Sequence, residues 1–146
     1  MHSTQRRPSV TDPLININDL SVSFGDKLSA IQAVSNVSFR IEHGETLALV
    51  GESGSGKSVT ALSIMQLLPY PAAFHPSGSI RFQDEEIIGA SSSRMQEIRG
   101  NRIAIIFQEP LTSLNPLHTI EKQIGETLLL HKKLDRSATR SRIIEL

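Results

Sequence analysis

The sequence contains no cysteine and no tryptophan. Without cysteine there is no disulfide framework and no thiolate metal site. It also lacks an excess of charge: Lys+Arg 15 balance Asp+Glu 15, for a formal net charge of +0. General nucleic-acid binders are usually basic, so this balance argues against that class. No apolar run reaches the roughly 18 residues of a membrane-spanning helix. The opening MHSTQRRPSV carries Arg6-Arg7 with no apolar segment behind it. It therefore reads as neither a secretory signal nor a twin-arginine leader. These absences leave a soluble cytoplasmic protein as the expectation. A length of 146 residues suits one domain with a core that needs no staples.

What is present organises the chain. Residues 1–13 are polar, contain Pro8 and Pro13, and read as a flexible tail. Leu14, Ile15, Ile17, Leu20 and Val22 predict a strand ending near Phe24, with a turn at Gly25-Asp26-Lys27. Val37, Phe39 and Ile41 alternate with polar residues and predict a half-buried strand. Thr46–Val50 is a nearly continuous apolar run, as is Ile103–Phe107. Both read as strands covered on two faces. Between them, Val59 to Leu68 predicts a helix buried almost all round and ended by Pro69 and Pro71. Residues 69–77 read as a loop, and Ile80 to Ile88 as a hairpin with the polar tip Asp84-Glu85-Glu86. Ser93 and Gln96 have capping-box spacing, with Gly100 closing a short helix. Ile120, Ile124 and Leu128 fall on one helix face, and Ser137 is a cap for a last helix. His43, His75, His118 and His131 read as loop or helix-surface residues. The basic stretch around His131-Lys132-Lys133, Arg136, Arg140 and Arg142 reads as a solvated helix face, because no aromatic residue interleaves with the charges.

One segment carries chemistry. Gly51-Glu52-Ser53-Gly54-Ser55-Gly56-Lys57-Ser58 fits G-x-x-x-x-G-K-S/T in full, between a predicted strand and a predicted helix. The glycines let the backbone curl so that successive N–H groups face inward at a phosphate. The helix start adds its positive end. Lys57 reaches the terminal phosphates as a mobile charge, and the Ser58 hydroxyl is a ligand for the Mg²⁺ that bridges them. This predicts a nucleoside triphosphate site with Mg²⁺ as its metal.

Beyond that loop, residues 14–146 resemble the N-terminal part of an ABC transporter ATP-binding subunit. The stretches that carry the likeness are AVSNVSFRIEHGETLALVGESGSGKSVTALSIMQLLP, SGSIRF and IAIIFQEPLTSLNPLHTIEKQIGETL. The form FQEPLTSLNP is similar to the peptide and nickel importer group, which includes oligopeptide, dipeptide and microcin C-type systems. The resemblance implies an α/β fold: the P-loop NTPase core of an ABC ATPase domain with an N-terminal antiparallel β-subdomain, truncated after the Q-loop region. It also implies that ATP is the triphosphate, that Phe24 stacks on adenine and that Gln108 is the Q-loop glutamine, touching Mg²⁺ and the attacking water. Glu109 and Pro110 would continue a loop facing the membrane subunits. Nucleotide-binding residues would be Phe24 and Gly51, Glu52, Ser53, Gly54, Ser55, Gly56, Lys57, Ser58 and Val59. Lys57 and Gln108 would be catalytic, and Ser58 and Gln108 would be the metal ligands. One departure is visible: Val59 stands where many relatives have a threonine whose hydroxyl reaches the α-phosphate, and Thr60 comes one place later.

The implied partners are transmembrane permease subunits and a second ATP-binding domain, in a homodimer, a heterodimer or the same chain of a dual-domain parent. A periplasmic solute-binding protein would act indirectly, and no nucleic acid is expected. The implied location is the cytoplasmic face of the bacterial inner membrane, and the implied work is ATP-driven uptake of peptides or peptide-like compounds. The 146 residues contain no LSGGQ-like signature, Walker B strand, D-loop or switch histidine. The expectation is therefore a partial ATPase domain over 14–146, active in a full-length parent and inactive alone. Two alternatives stay open: a non-transport ABC-type nucleotide-binding module, and an inactive nucleotide-binding fragment.

Overall fold

The computed structural model describes residues 12–26, 28–108, 114–132 and 134–146. The predicted tail up to Thr11, together with Lys27, Lys133, Glu109 and Pro110, lies outside the described residues. The chain divides between Ser91 and Ser92 into two compact units.

The first unit is built on one antiparallel sheet in the order β2-β1-β3-β4. Alternating apolar side chains bring β1 (Ile15–Phe24) to its centre, flanked by β2 (Ile31–Ile41) and β3 (Ala73–Phe82). Ile17, Leu20, Val22 and Ile80 are fully buried, each contributing about 1.5–3 kcal/mol through apolar burial. The alternation slips at Asp19, where φ is 46° and the ladder shifts register. There the Asp19 amide donates to Ser38 Oγ at 2.8 Å. β3 begins at Ala73, inside the stretch read as a loop, because Ala73 pairs with Phe24 and is itself buried. His75 is thus a strand residue. The expected hairpin is present: β3 turns through Gln83 and Asp84, both at positive φ, into β4 (Glu85–Glu86).

The helix α1 (Lys57–Ile64) follows the glycine-rich loop. It stops well before Pro69. Gln66 takes φ 50°, its amide donates to Ser63 O at 3.0 Å, and the Leu67 amide donates to Leu62 O at 2.9 Å. These two bonds form a Schellman close that ends the helix before proline is reached. Thr60 and Ser63 are its buried residues, so the helix is not buried all round.

The second unit holds α2 (Ser92–Ile98), α3 (Ile120–Lys132) and α4 (Arg136–Glu145). Ser93 lies within α2, one residue past its start, and does not precede the helix as a cap would. Gly100, at φ 74°, follows α2 as expected. Met95 and Ile98 are the buried apolar residues of α2. α3 packs on α4 through Gly125: a Cβ there would stand 3.3 Å from Ile143 Cδ1. Of the predicted stripe on α3, Ile124 and Leu128 are half-buried while Ile120 is 54% exposed. The cap of α4 is Asp135, not Ser137. Its carboxylate accepts from the Ala138 amide at 2.8 Å, where Ser137 is already inside the first turn.

The two apolar runs read as doubly covered strands behave differently. Neither Thr46–Val50 nor Ile103–Phe107 joins a ladder, apart from a single bridge between Arg99 and Ile103. Leu49 is 42%, Val50 89% and Ile106 90% exposed. An apolar run specifies burial only if neighbours exist on both sides. Among the described residues, every named strand is used within the antiparallel sheet. Also among the described residues, no helix is long and apolar enough to cross a membrane.

Candidate nucleotide-binding site

Residues 51–56 lead directly into α1, and their shape follows from glycine placement. Gly56 sits immediately before the helix at φ 86°, and Gly54 at φ 82°. A Cβ at Gly56 would stand 2.7 Å from Ala33 O and 3.0 Å from Val34 Cγ2. The loop therefore rests on the backbone of β2, and only glycine allows that approach. A hollow of about 140 Å³ results, lined by Ala33, Gly54, Ser55, Gly56, Lys57, Ser58 and Val59.

The hollow is rich in donors. The first turn of an α-helix leaves amides without intrahelical acceptors. No side chain caps α1, and its first backbone bond outside the regular ladder is the Thr60 amide to Gly56 O at 2.8 Å. The amides of Lys57, Ser58 and Val59 precede it and take no acceptor among the described residues. The helix end adds partial positive charge, so the hollow suits an anion. Lys57 supplies a full charge beside it. Its Nζ donates to Gly51 O at 2.8 Å, Glu52 O at 2.6 Å and Ser55 Oγ at 3.1 Å. Ser58 is exposed at the same helix start. Thr60 does not line the hollow: it is buried, and its hydroxyl donates to Gly56 O at 3.0 Å.

The donor set fits a phosphate group. Its amides are free among the described residues, its cation is adjacent, and Gly56 lets the loop lie directly on β2, where a Cβ would clash with Ala33 O. A hydroxyl beside the phosphate site suits a hard cation such as Mg²⁺. Away from this hollow no metal centre competes: no group of three or more His, Cys, Asp or Glu residues is gathered among the described residues. The hairpin carboxylates that could suggest one have other work. Asp84 pairs with Arg81 at 2.6 Å, and Glu86 Oε1 accepts from the Ile80 and Ile88 amides at 3.1 and 2.9 Å.

Glu52 and Ser53 lie exposed on the loop. Phe24 is half-buried at the end of β1, paired with Ile31 and Ala73. It is not among the residues lining the hollow, although its neighbour strand β2 supplies Ala33. Gln108 is exposed in the second unit. Sequence reasoning gave no role to Ala33 and Val34. Their part is played largely by a backbone carbonyl, which leaves no side-chain signature. One ionisable group stands apart. Burial holds the His75 imidazole below its usual range, while nearby Glu86 pulls the other way. Its Nε2 is buried with no hydrogen-bond partner among the described residues, and its ring lies 5.8 Å from that of Tyr70.

A glycine-rich loop curled onto a strand and opening a helix with free leading amides defines a P-loop nucleoside-triphosphate-binding protein. Comparison with known proteins narrows the class. The chain belongs to the ABC transporter family, which matches residues 34–145. It is 54% identical over 136 residues to the peptidoglycan transport ATP-binding protein YejF of Agrobacterium fabrum, covering 93% of this chain and 25% of that protein. It is 44% identical over 133 residues to the oligopeptide transport ATP-binding protein OppD of Bacillus subtilis, covering 91% and 37%. The chain thus spans about a quarter to two fifths of the length of these relatives. Among solved structures, the dimeric ATP-binding cassette MJ0796 bound to ADP and Pi superposes with a TM-score of 0.73 at 22% identity. That match covers 90% of this chain and 54% of the other. At this identity the match speaks for the fold, an ABC ATPase cassette of the P-loop α/β class with its antiparallel β-subdomain.

Proposed function

We propose that this chain is the nucleotide-binding part of an ABC importer ATPase that drives uptake of peptides or peptide-like compounds. The observation that carries the reading is the loop itself, curled on β2 with the leading amides of α1 free and Lys57 poised at its mouth. The names of the relatives, peptidoglycan and oligopeptide transport, support the cargo class.

In this reading the amides of residues 57–59 and the Lys57 ammonium bind the terminal phosphates of ATP, and Ser58 ligates Mg²⁺. When bound, the metal withdraws charge from the phosphoryl group that is transferred to water. The protein orients the triphosphate through the loop, and Lys57 neutralises charge that grows on its oxygens. Phe24 stacks on the adenine. Gln108 holds the metal and water and reports their presence to transmembrane permease subunits at the cytoplasmic face of the inner membrane. A second ATP-binding domain completes the site, and a periplasmic solute-binding protein delivers cargo.

The test is an equilibrium titration of the purified chain with a fluorescent ATP analogue, with and without Mg²⁺. Saturable binding, strengthened by Mg²⁺ and displaced by ATP, is expected. Failure to bind at millimolar nucleotide would reject the reading. Phosphate release by the chain alone is expected to stay near background. Within its 146 residues no general base or signature segment occurs, and loss of one such group typically costs about 10²–10⁴-fold.

A further inference from the structure

We propose that Ser55 is the positioning residue of Lys57, holding the ammonium at the mouth of the loop while keeping its own hydroxyl proton available to a terminal phosphate oxygen. The second half of this statement rests on the nucleotide reading above; the first does not. A lysine ammonium has three N–H donors. Here all three find oxygens within the same loop: two backbone carbonyls, Gly51 O and Glu52 O, and one side chain, Ser55 Oγ. The carbonyls belong to the beginning of the loop, and Ser55 closes the ring of acceptors from its far side.

Ser55 is itself fixed. Its amide donates to Glu52 O at 3.2 Å, forming the turn that presents the hydroxyl. Its Oγ lies 2.8 Å from the point where a Cβ on residue 51 would stand, so the hydroxyl is tucked over Gly51 and any side chain there would displace it. Glycine at 51 thus makes room for the lysine's acceptor.

The chemistry of a hydroxyl suits the role. It accepts one hydrogen bond from the ammonium and can still donate its own proton. An arriving phosphate oxygen can therefore bond both Lys57 and Ser55 without breaking the contact between them. The two carbonyls cannot share in this way, because they only accept and they repel an anion. Lys57 leaves a carbonyl to meet a phosphate, and Ser55 travels with it as partner.

The experiment begins with competitive acetylation of Lys57 by acetic anhydride in buffer without nucleotide, read by mass spectrometry. Lys122 and Lys132 serve as internal references. In Ser55→Ala the ammonium loses one of three anchors, and its acetylation is expected to rise about three- to tenfold relative to the references. Ser55→Thr keeps the hydroxyl and is expected to restore the wild-type rate. Equal rates in wild type and Ser55→Ala would overturn the proposal.

A double-mutant cycle then tests the action on nucleotide. Ser55→Ala is expected to weaken binding of the Mg²⁺–ATP analogue about three- to tenfold when Lys57 is present and by a clearly smaller factor in a Lys57→Ala background, where only the direct bond from the hydroxyl to the phosphate is lost. An equal loss in both backgrounds would show that Ser55 acts without the lysine, and the proposal would fall. If Ser55→Ala accelerates acetylation but the nucleotide neither binds nor slows it, the positioning role stands and the nucleotide reading fails.

Discussion

Replacing Gly56 by alanine tests the account of the loop most directly. Gly56 has φ 86°, so any L-residue there pays the left-handed penalty, about 1–2 kcal/mol. Gly54, two residues earlier, has nearly the same φ of 82°, and a Cβ on it would meet nothing within 4 Å. Gly54→Ala therefore isolates the backbone term. Gly56→Ala adds a methyl group 2.7 Å from Ala33 O and 3.0 Å from Val34 Cγ2. The closer neighbour is backbone of a paired strand and cannot turn aside, so either β2 or the start of α1 must shift. Overpacking of this kind costs a further ~1–3 kcal/mol. The expected losses are about 1–2 kcal/mol for Gly54→Ala and about 2–5 kcal/mol for Gly56→Ala, read as the shift in urea midpoint. Nucleotide affinity should follow the same order, because displacing α1 moves the leading amides. A Gly56→Ala protein as stable as Gly54→Ala, with unchanged binding, would refute the claim that the loop bears on β2.

Lys57→Ala is expected to weaken the Mg²⁺–ATP analogue about ten- to a hundredfold in the same titration, since charge-assisted hydrogen bonds are worth ~1.5–3 kcal/mol. Asp135→Ala should remove the cap of α4 and lower helicity by circular dichroism, with a cost of about 1 kcal/mol. Asp135→Asn should retain most of it. His75 should make stability depend on pH. Its folded-state affinity for a proton is depressed mainly by burial. The unfolded state therefore binds the proton more readily, and stability is highest above the ordinary imidazole range near ~6.5 and falls as the pH drops through it. The urea midpoint should decline between about pH 7.5 and pH 5 in the wild type and decline less in His75→Phe, which keeps the ring facing Tyr70; parallel curves would contradict this.

The site was legible to the extent that it is contiguous. Eight consecutive residues carry the glycines, the lysine and the serine, and their order alone predicts a curled loop at a helix start. The antiparallel strands were legible from alternation, because one face of each is buried and the period of two survives in the sequence. What escaped detection depends on partners that are distant or have no side chain. Ala33 contributes a carbonyl, which any residue could supply. Phe24 and Gln108 lie far from the loop along the chain, and the roles proposed for them come from resemblance and not from spacing. Asp135 outranked Ser137 as a cap because the helix starts at Arg136, two residues earlier than a cap at Ser137 would place it. The runs at Thr46–Val50 and Ile103–Phe107 announce burial but carry no information about what buries them.

The contacts that shape the loop all fall between Ala33 and Thr60. Closing so short a stretch costs little chain entropy, and local contacts form early. During synthesis, with the N-terminal end first off the ribosome, the cradle has all its own parts before the second unit has been translated. A ligand that binds the formed cradle and not the disordered chain stabilises it in proportion to the logarithm of its concentration. On the nucleotide reading proposed above, cellular ATP would bind this stretch as soon as it is made and hold the loop and α1 in register.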